Sequence, residues 1–559
     1  MTSSAAAPRR WRVRDIDPQK TSELAAALGI RPEAAGILVA RGVDAVRAAA
    51  FLHPRLRDLR PPDGMAGMAQ AADRLARAVR ARERVGVFGD YDVDGVTTAA
   101  LLGTFLRGCG LDPVVRAARR QDGYGFGTGA ADALLDQGSS LLVTCDCGTS
   151  DHPSIERARA RGADVIVVDH HQVPEGESPA LALLNPHRGD STFPFRGLCS
   201  AGISFYLAAA TRTLLGSPCP DARPLLDLAA IGTIGDVVPL LDENRVLVAR
   251  GLERLRTAPR PGLAALMERA DLAGVQVTAR DVAFRLAPRL NAPGRLGEAQ
   301  LALDLLLATD LAAAQPLAAA CDAANRERKV LQEGVLREAM EQAALDDGEF
   351  VVTAGPWHPG VVGIVAARIV EATGRPAAVI AVQEGIGRAS ARTPAGLDLY
   401  AMVREAAALL VRFGGHAAAC GFTVEEPRIP ELREALRGAA RRAHRSEPEL
   451  LIDAELDLSR ADLELAEHLE RLEPFGEGNP QPVFCARGVP VASARTVGSG
   501  HLRLRLGDDG CNVGAIGFGM ADRSPAEGSR IDVAFHLQID DYHGVRRPDL
   551  MLIDLRPSL

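Results

Sequence analysis

The sequence predicts an α/β protein of several lobes: a doubly wound parallel-sheet domain, a long connector helix, a second α/β domain and a small C-terminal β-barrel. Three observations carry this expectation. Short β-branched runs alternate with helical patterns from about residue 85 to residue 185. An alanine-rich stretch, Leu317–Leu345, would span roughly 40 Å as one helix at 1.5 Å per residue. The tail beyond Leu451 carries short alternating runs such as His501-Leu502-Arg503-Leu504-Arg505-Leu506, the pattern of a small barrel. A chain of 559 residues has room for three or four such domains.

Taken in order, residues 1–75 are expected to be a helical segment. The amino terminus runs from small residues into Arg9, Arg10 and Arg12 without an apolar core or cleavage site, so no secretory signal and a cytoplasmic location are expected. The first sheet domain is assigned to 76–310. Within it Val85–Gly89, Leu141–Thr144 and Asp164–Val168 read as buried strands. The first ends in Asp90-Tyr91-Asp92-Val93-Asp94-Gly95, the second in Cys145-Asp146-Cys147-Gly148, the third in Asp169-His170-His171. Open α/β sheets bind ligands beyond the carboxyl ends of their strands, so the three endings should converge on one crevice. A fourth acid, Asp236, follows in Ile234-Gly235-Asp236-Val237-Val238-Pro239. The connector takes 311–346. The second α/β domain takes 347–447, with Phe350–Thr353 and Ala377–Val382 as strands, Val361–Thr373 as a helix and another helix around Glu431–Arg445. The barrel takes 448–559.

Composition narrows the function classes. Apolar residues at 47% and charged residues at 24% describe ordinary globular material. The uncharged stretch Phe350–Ala367 is interrupted by Pro356, His358, Pro359 and Gly360, so no membrane helix is expected. The nine cysteines (109, 145, 147, 199, 219, 321, 420, 485, 511) never form a Cys-x-x-Cys pair and read as reduced thiols. A net charge of -8 argues against coating nucleic acid through bulk charge and leaves room for a local basic groove. Lys20 and Lys329 are the only lysines, so nearly every cation is an arginine, the side chain suited to bidentate phosphate binding.

Clustered aspartates raise one another's pKa unless cations sit between them. Asp90, Asp92, Asp94, Asp146 and Asp236, joined by His170, form such a cluster if the strand ends meet. Oxygen ligands with one imidazole suit Mn²⁺ or Mg²⁺. Two ions roughly 3.5 to 4 Å apart could bind a phosphoryl oxygen and activate the attacking water, which is metal-assisted phosphoester hydrolysis. A calcium loop of the helix-loop-helix type is excluded, because Leu101 stands where its twelfth-position glutamate belongs and a strand precedes the motif.

Asp169-His170-His171 after a strand, with Asp-x-Asp-x-Asp-Gly upstream, resembles the DHH phosphoesterase superfamily, and the rest of the chain resembles its single-strand-specific exonuclease branch. The resemblance runs from about Val85 to the carboxyl terminus. It includes Arg119 with Gly123-Tyr124-Gly125, Pro288-Arg289-Leu290-Asn291-Ala292-Pro293-Gly294-Arg295, Trp357-His358-Pro359-Gly360, Gly387-Arg388-Ala389-Ser390-Ala391-Arg392, Gly414-Gly415-His416 and Pro474-Phe475-Gly476-Glu477-Gly478-Asn479-Pro480. It implies a metal-bearing DHH domain, a DHH-associated domain and an OB-fold that completes a ring or cleft around single-stranded DNA. It further implies Asp92, Asp94, Asp146, His170 and Asp236 as metal ligands, with Asp90 a ligand or just behind them. His171 would contact the scissile phosphate or protonate the leaving oxygen, and Asp169 would orient a histidine ring. The DNA-binding residues would be Arg119, Tyr124, Arg289, Asn291, Arg295, Arg388, Ser390, Arg392 and His416.

Residue chemistry alone gives Gly387–Arg392 a flexible backbone, a hydroxyl and two guanidiniums, a phosphate grip, and makes Tyr124 and Phe126, beside Arg119 and Arg120, a base-stacking platform. The expectation is a Mn²⁺- or Mg²⁺-dependent exonuclease that releases mononucleotides from the 5′ end of single-stranded DNA in repair and recombination. It would act as a monomer, with a single-strand-binding protein and a helicase as candidate partners. Two alternatives stand beside it: a DHH phosphoesterase on short oligonucleotides, cyclic dinucleotides or adenosine bisphosphate, and a non-catalytic single-strand-binding replication factor.

Overall fold

The computed structural model describes residues 9–217, 219–443, 449–498, 500–508, 511–540 and 545–558. The chain opens with strand β1 (Arg10–Val13) and three helices, Pro18–Leu28, Pro32–Ala40 and Ala45–Leu52. The first sheet follows, built from β2 (Val85–Gly89), β3 (Val114–Ala117), β4 (Leu141–Cys145), β5 (Asp164–Val168) and β6 (Ala182–Leu184). Its order is β3-β2-β4-β5-β6 and every pairing is parallel. The central runs are continuously buried because helices cover both faces of the sheet. One face packs Val85, Val87, Leu141 and Val143 against helices Met68–Ala81, Val93–Gly108 and Ser200–Leu215; the other packs Phe88, Leu142, Val165 and Val167 against helices Thr128–Leu135 and His152–Ala160.

The connector is one helix, Leu311–Ala344, starting six residues earlier than the alanine-rich run suggests because Asp310 caps it through Ala313 N–H. Pro316, six positions into it, forgoes the bond its N–H would give to the carbonyl four residues earlier. The second domain holds β7 (Val351–Gly355), β8 (Ala377–Gln383), β9 (Ile386–Arg392), β10 (Arg412–His416) and β11 (Ala419–Glu425) in the order β10-β11-β9-β8-β7. Helix Val362–Thr373 and the end of the connector cover one face of this sheet, and helices Leu399–Glu405 and Ile429–Arg442 cover the other. The last helix ends three residues short of the expected Arg445, which lies outside the described residues.

The tail adds β12 (Glu449–Ile452), β13 (Ala454–Glu455), β14 (Phe484–Val497), β15 (His501–Asp508), β16 (Cys511–Gly517), β17 (Arg530–Asp540) and β18 (Arg547–Pro557). The order β14-β15-β16-β18-β17, closed by β17 on β14, is the five-stranded OB barrel. The alternation in β15 places Leu502, Leu504 and Leu506 inside it.

The amino-terminal helices carry no sequence signal for their packing partner. They join the barrel: Leu24, Ile37, Leu38 and Leu52 share one core with Leu465, Leu504, Val533 and Phe535, and β1 pairs in parallel with β12. Arg245, buried in helix Asp242–Thr257, ties this unit to the first domain by donating to the carbonyls of Phe51, Leu472 and Glu473. Leu38→Ala should therefore cost about 2–5 kcal/mol and expose the barrel and the amino-terminal helices to protease together. Cleavage of the helices with the barrel still protected would contradict a shared core.

Candidate active site

The acids and histidines expected to hold metal lie where the parallel sheet puts its strand ends. β2, β4 and β5 are neighbours, so Asp90, Asp146 and Asp169-His170 leave the sheet side by side. Asp92 is the N-cap of helix Val93–Gly108, its carboxylate accepting from Gly95 N–H at 3.1 Å. Asp94 sits one residue inside that helix, fully buried, and accepts from the N–H groups of Ser200 and Ala201 at 2.8 and 2.9 Å. Those donors open helix Ser200–Leu215, so a second helix N-terminus helps carry the charge. Asp236 closes helix Leu226–Gly235, which packs against both of these helices. Asp146 and Val237 adopt positive φ of 63° and 59°, conformations costly for side chains with a Cβ, and both stand at the carboxylate cluster.

The loop geometry explains two glycines. A Cβ on Gly95 would lie 2.5 Å from the Asp90 carbonyl oxygen, and one on Gly294 would lie 2.1 Å from that of Tyr91. The second close approach seats helix Ala287–Leu296 on the Asp-x-Asp loop, where Asn291 Oδ1 accepts from Val93 N–H at 2.8 Å. Arg120 joins the same contact, donating to the Gly294 carbonyl and stacking 4.2 Å over the Tyr91 ring.

His170 Nε2 lies 3.2 Å from Asp146 Oδ1, 3.4 Å from Asp236 Oδ2 and 4.0 Å from Asp94 Oδ2. Three overlapping groups have ligand atoms within 4.8 Å of one another: Asp90, Asp92 and Asp146; Asp94, His170 and Asp236; Asp146, His170 and His171. Asp146 is common to two of them. Among the described residues, the buried atoms Asp90 Oδ1, His170 Nε2 and Asp236 Oδ2 find no hydrogen-bond partner. Buried polar atoms without partners are costly, and an oxygen-rich set with one imidazole is what Mn²⁺ or Mg²⁺ uses, so these residues fit divalent cations. Burial, then the neighbouring carboxylates, pushes Asp90 and Asp146 well above the usual carboxyl range and Asp236 up to about 9. Burial likewise lowers His170, which favours the neutral ring that a ligand needs.

Asp169 is not part of the crowded set. It accepts from His171 Nδ1 at 2.7 Å and from the N–H groups of His170, His171 and Thr149, bonds that outweigh burial and hold it well below the usual range. Burial alone would lower His171, but the Asp169 bond and the surrounding carboxylates hold it above its ordinary value. Asp169 therefore orients His171 rather than His170. The Tyr124 hydroxyl, 2.9 Å from His171 Nε2, brackets the same ring, and Tyr124 remains 57% exposed beside it.

The phosphate-binding expectations divide. Arg392 donates to Ser390 Oγ at 3.0 Å, and both face Gly363 at the start of helix Val362–Thr373. Arg295 crosses between lobes to the Gly360 carbonyl, and burial and the charges of Arg120, Arg328 and Arg392 lower it to about 10. Arg119, Arg388 and His416 are exposed. Arg289 does not join them: its guanidinium donates to Asp322 at 2.9 Å and to the Arg285 carbonyl, a tie between helix Ala287–Leu296 and the connector. Phe126 is no stacking surface either, being 1% exposed and packed on Phe88. Asn291 acts through the metal loop. The N–H donors of Ser200, Ala201 and Thr149 carry no sequence signal, because a backbone group can belong to any residue and only the fold brings these three to the acids.

Cation binding must displace protons from these carboxyls. Calorimetry of Mn²⁺ binding in buffers of different ionisation enthalpy should show proton release near neutral pH, and identical heats in all buffers would contradict the arrangement. A carboxyl whose folded pKa is raised stabilises the fold while protonated and loses that contribution as pH rises. In chelator the thermal midpoint should therefore drop between about pH 4 and pH 9, and Mn²⁺ should abolish the drop.

Comparison with known proteins agrees with this architecture. Family models match at residues 84–233 (DHH family, N-terminal domain), 347–442 (DHHA1 domain) and 452–554 (RecJ OB domain). The single-stranded-DNA-specific exonuclease RecJ of Bacillus subtilis (strain 168) is 36% identical over 568 residues, covering 99% of this chain and 71% of that protein. The protein of that name from Escherichia coli (strain K12) is 32% identical over 577 residues, covering 98% and 99%. The crystal structure of RecJ in complex with Mn²⁺ from Thermus thermophilus superposes with a TM-score of 0.86 at 34% identity, covering 98% of this chain and 80% of that one. With its three domain types in order and its similarity running nearly end to end, the chain belongs to the RecJ family of DHH-domain proteins.

Proposed function

We propose that this protein is a Mn²⁺- or Mg²⁺-dependent exonuclease specific for single-stranded DNA that removes mononucleotides from the 5′ end. The observation that carries the reading is the set of buried, unpartnered ligand atoms on Asp90, His170 and Asp236 facing a lobe interface lined with arginine. When bound, the cations supply Lewis-acid polarisation of the phosphodiester and lower the pKa of water. Asp92, Asp94, Asp146, His170 and Asp236 would hold them, with Asp90 completing the Asp92 and Asp146 group. His171, its Nδ1 held by Asp169 and its Nε2 turned toward the Tyr124 hydroxyl, would donate from Nε2 to the leaving oxygen or to the scissile phosphate, and the Asp169 bond favours the protonated ring that this needs. Tyr124 keeps that ring from rotating away and offers an exposed face to a base.

Polarity follows from a pocket across the cleft. Ser390, Arg392 and the start of helix Val362–Thr373 form a grip for a terminal phosphate, and Arg295 and Arg120 reach toward it from the first lobe. A fixed distance between this grip and the cations would let the enzyme count one nucleotide from a 5′ end. A dinucleotide or cyclic dinucleotide substrate would leave the barrel without a role.

Single strands labelled at either end, incubated with Mn²⁺ and then with chelator, test the reading: the 5′ label should be released first as a mononucleotide, and only with metal. Early release from a 3′ label would overturn the polarity. Asp146→Ala should remove turnover by several orders of magnitude with the fold retained, since two ligand groups share that carboxylate. Arg392→Ala should raise the apparent KM for a 5′-phosphorylated strand roughly tenfold while kcat stays within about twofold. Arg289→Ala, which removes one of the two arginines on Asp322 and leaves Arg326 there, should instead destabilise the protein by about 1–2 kcal/mol and keep the 5′-phosphate preference. Loss of that preference in Arg289→Ala alone would move the grip elsewhere.

A further inference from the structure

A cavity of about 910 Å³ opens beside Asp236, between the first domain, the connector, the second domain and the barrel strands β17 and β18. Its walls include Val237, Asn291, Arg295, Arg328 and Ile364. Arg328 comes from the middle of the connector helix, a segment whose other arginine nearby, Arg326, is neutralised by Asp322. Among the described residues Arg328 has no such acidic partner. Its guanidinium is held by two neutral amides of its own helix, Asn325 Oδ1 at 2.9 Å and Gln332 Oε1 at 2.7 Å, and its Nε is buried without a hydrogen bond. Asn325 is itself 2% exposed, so the clamp on Arg328 is set by packing. The charge is half-buried and adds to that of Arg295 on the same wall, whose donor goes to the Gly360 carbonyl rather than to an acid. The cavity's glutamates, Glu470, Glu473 and Glu477, come from the carboxyl-terminal domain, and among the described residues none of them pairs with Arg295 or Arg328; two like charges crowded on the opposite wall call for an anion.

We propose that the connector helix is part of the substrate-binding surface, and that Arg328 holds a phosphate of the single strand inside this cavity, a contact separate from the terminal-phosphate grip of Ser390 and Arg392. The inference rests on the single-strand reading given above. It makes the connector more than a spacer: a strand lying in the cavity touches the helix that joins the two lobes, and binding sets their spacing.

The test compares Arg328→Gln, which removes the charge and keeps helix propensity and hydrogen-bonding capacity, with Arg328→Lys, which keeps the charge. Binding of a fluorescent single-stranded oligonucleotide is followed against salt in Ca²⁺ to suppress turnover, and steady-state cleavage is followed in Mn²⁺. For Arg328→Gln the log-log salt slope should flatten by about 0.7, and KM should rise about tenfold with kcat within about twofold. Arg328→Lys should keep the wild-type slope. A wild-type slope and KM in Arg328→Gln, or a loss confined to kcat, would overturn the proposal. Wild-type cleavage of the same strand is the control for the underlying reading: if the wild type leaves it intact, the substrate assignment fails, whereas normal wild-type cleavage with an unaltered Arg328→Gln variant refutes only the role of Arg328.

Discussion

Like charges at van der Waals distance govern this molecule. Five aspartates and a histidine converge in a largely buried space, and no arrangement of protein alone lets all of them ionise. The fold nevertheless goes to lengths to bring them together. Three adjacent parallel strands end there, the backbone at Asp146 and Val237 takes left-handed conformations, and two helix N-termini point at Asp94 and Asp92. Such expense of conformation makes physical sense when multivalent cations supply the missing charge, and the surrounding residues are arranged around that need: Asp169 is satisfied by four donors and excluded from the cluster, while Asp90, His170 and Asp236 are left with open valences.

The same logic distributes the arginines. Where an arginine serves structure it meets a carboxylate or a carbonyl, as Arg74 meets Glu83 and Asp164, and Arg245 meets the carbonyls of Phe51 and Leu472. Around the cleft Arg120, Arg295, Arg328 and Arg392 meet carbonyls, hydroxyls or amides and repel one another. A net charge of -8 over the whole chain thus coexists with a cationic interior to the cleft, facing an anionic metal pocket. A phosphodiester backbone with divalent cations is complementary to both surfaces at once.

Much of this was legible in the residues. The Asp-x-Asp-x-Asp-Gly, Cys-Asp-Cys-Gly and Asp-His-His runs follow β-branched strands, and parallel sheets place such endings together; β2, β4 and β5 do so. The connector, the second sheet and the barrel were readable from periodicity, because alanine-rich helix and alternating Leu502-Leu504-Leu506 are local signals. What the residues hid is what depends on distant partners. Arg289 reads like any arginine of a glycine-rich motif until Asp322 is found opposite it. Phe126, two residues from exposed Tyr124, is claimed by Phe88. Asn291 is a polar residue of a helix whose purpose, holding Val93 N–H, emerges only when Gly294 lets that helix approach Tyr91. Of the amino-terminal helices, Pro32–Ala40 is apolar nearly all round and the other two have an ordinary apolar face, and nothing in them specifies the barrel more than 400 residues away as the surface they cover.

The central claim is that the crowded carboxyls are a two-cation site with Asp146 shared between the ions. Anomalous scattering at the manganese edge from crystals grown with Mn²⁺ measures it directly. Two peaks are expected, both within coordination distance of Asp146, one of them also reaching Asp90 and Asp92 and the other Asp94, His170 and Asp236. A single peak that leaves either group unligated, or peaks away from Asp146, would contradict it.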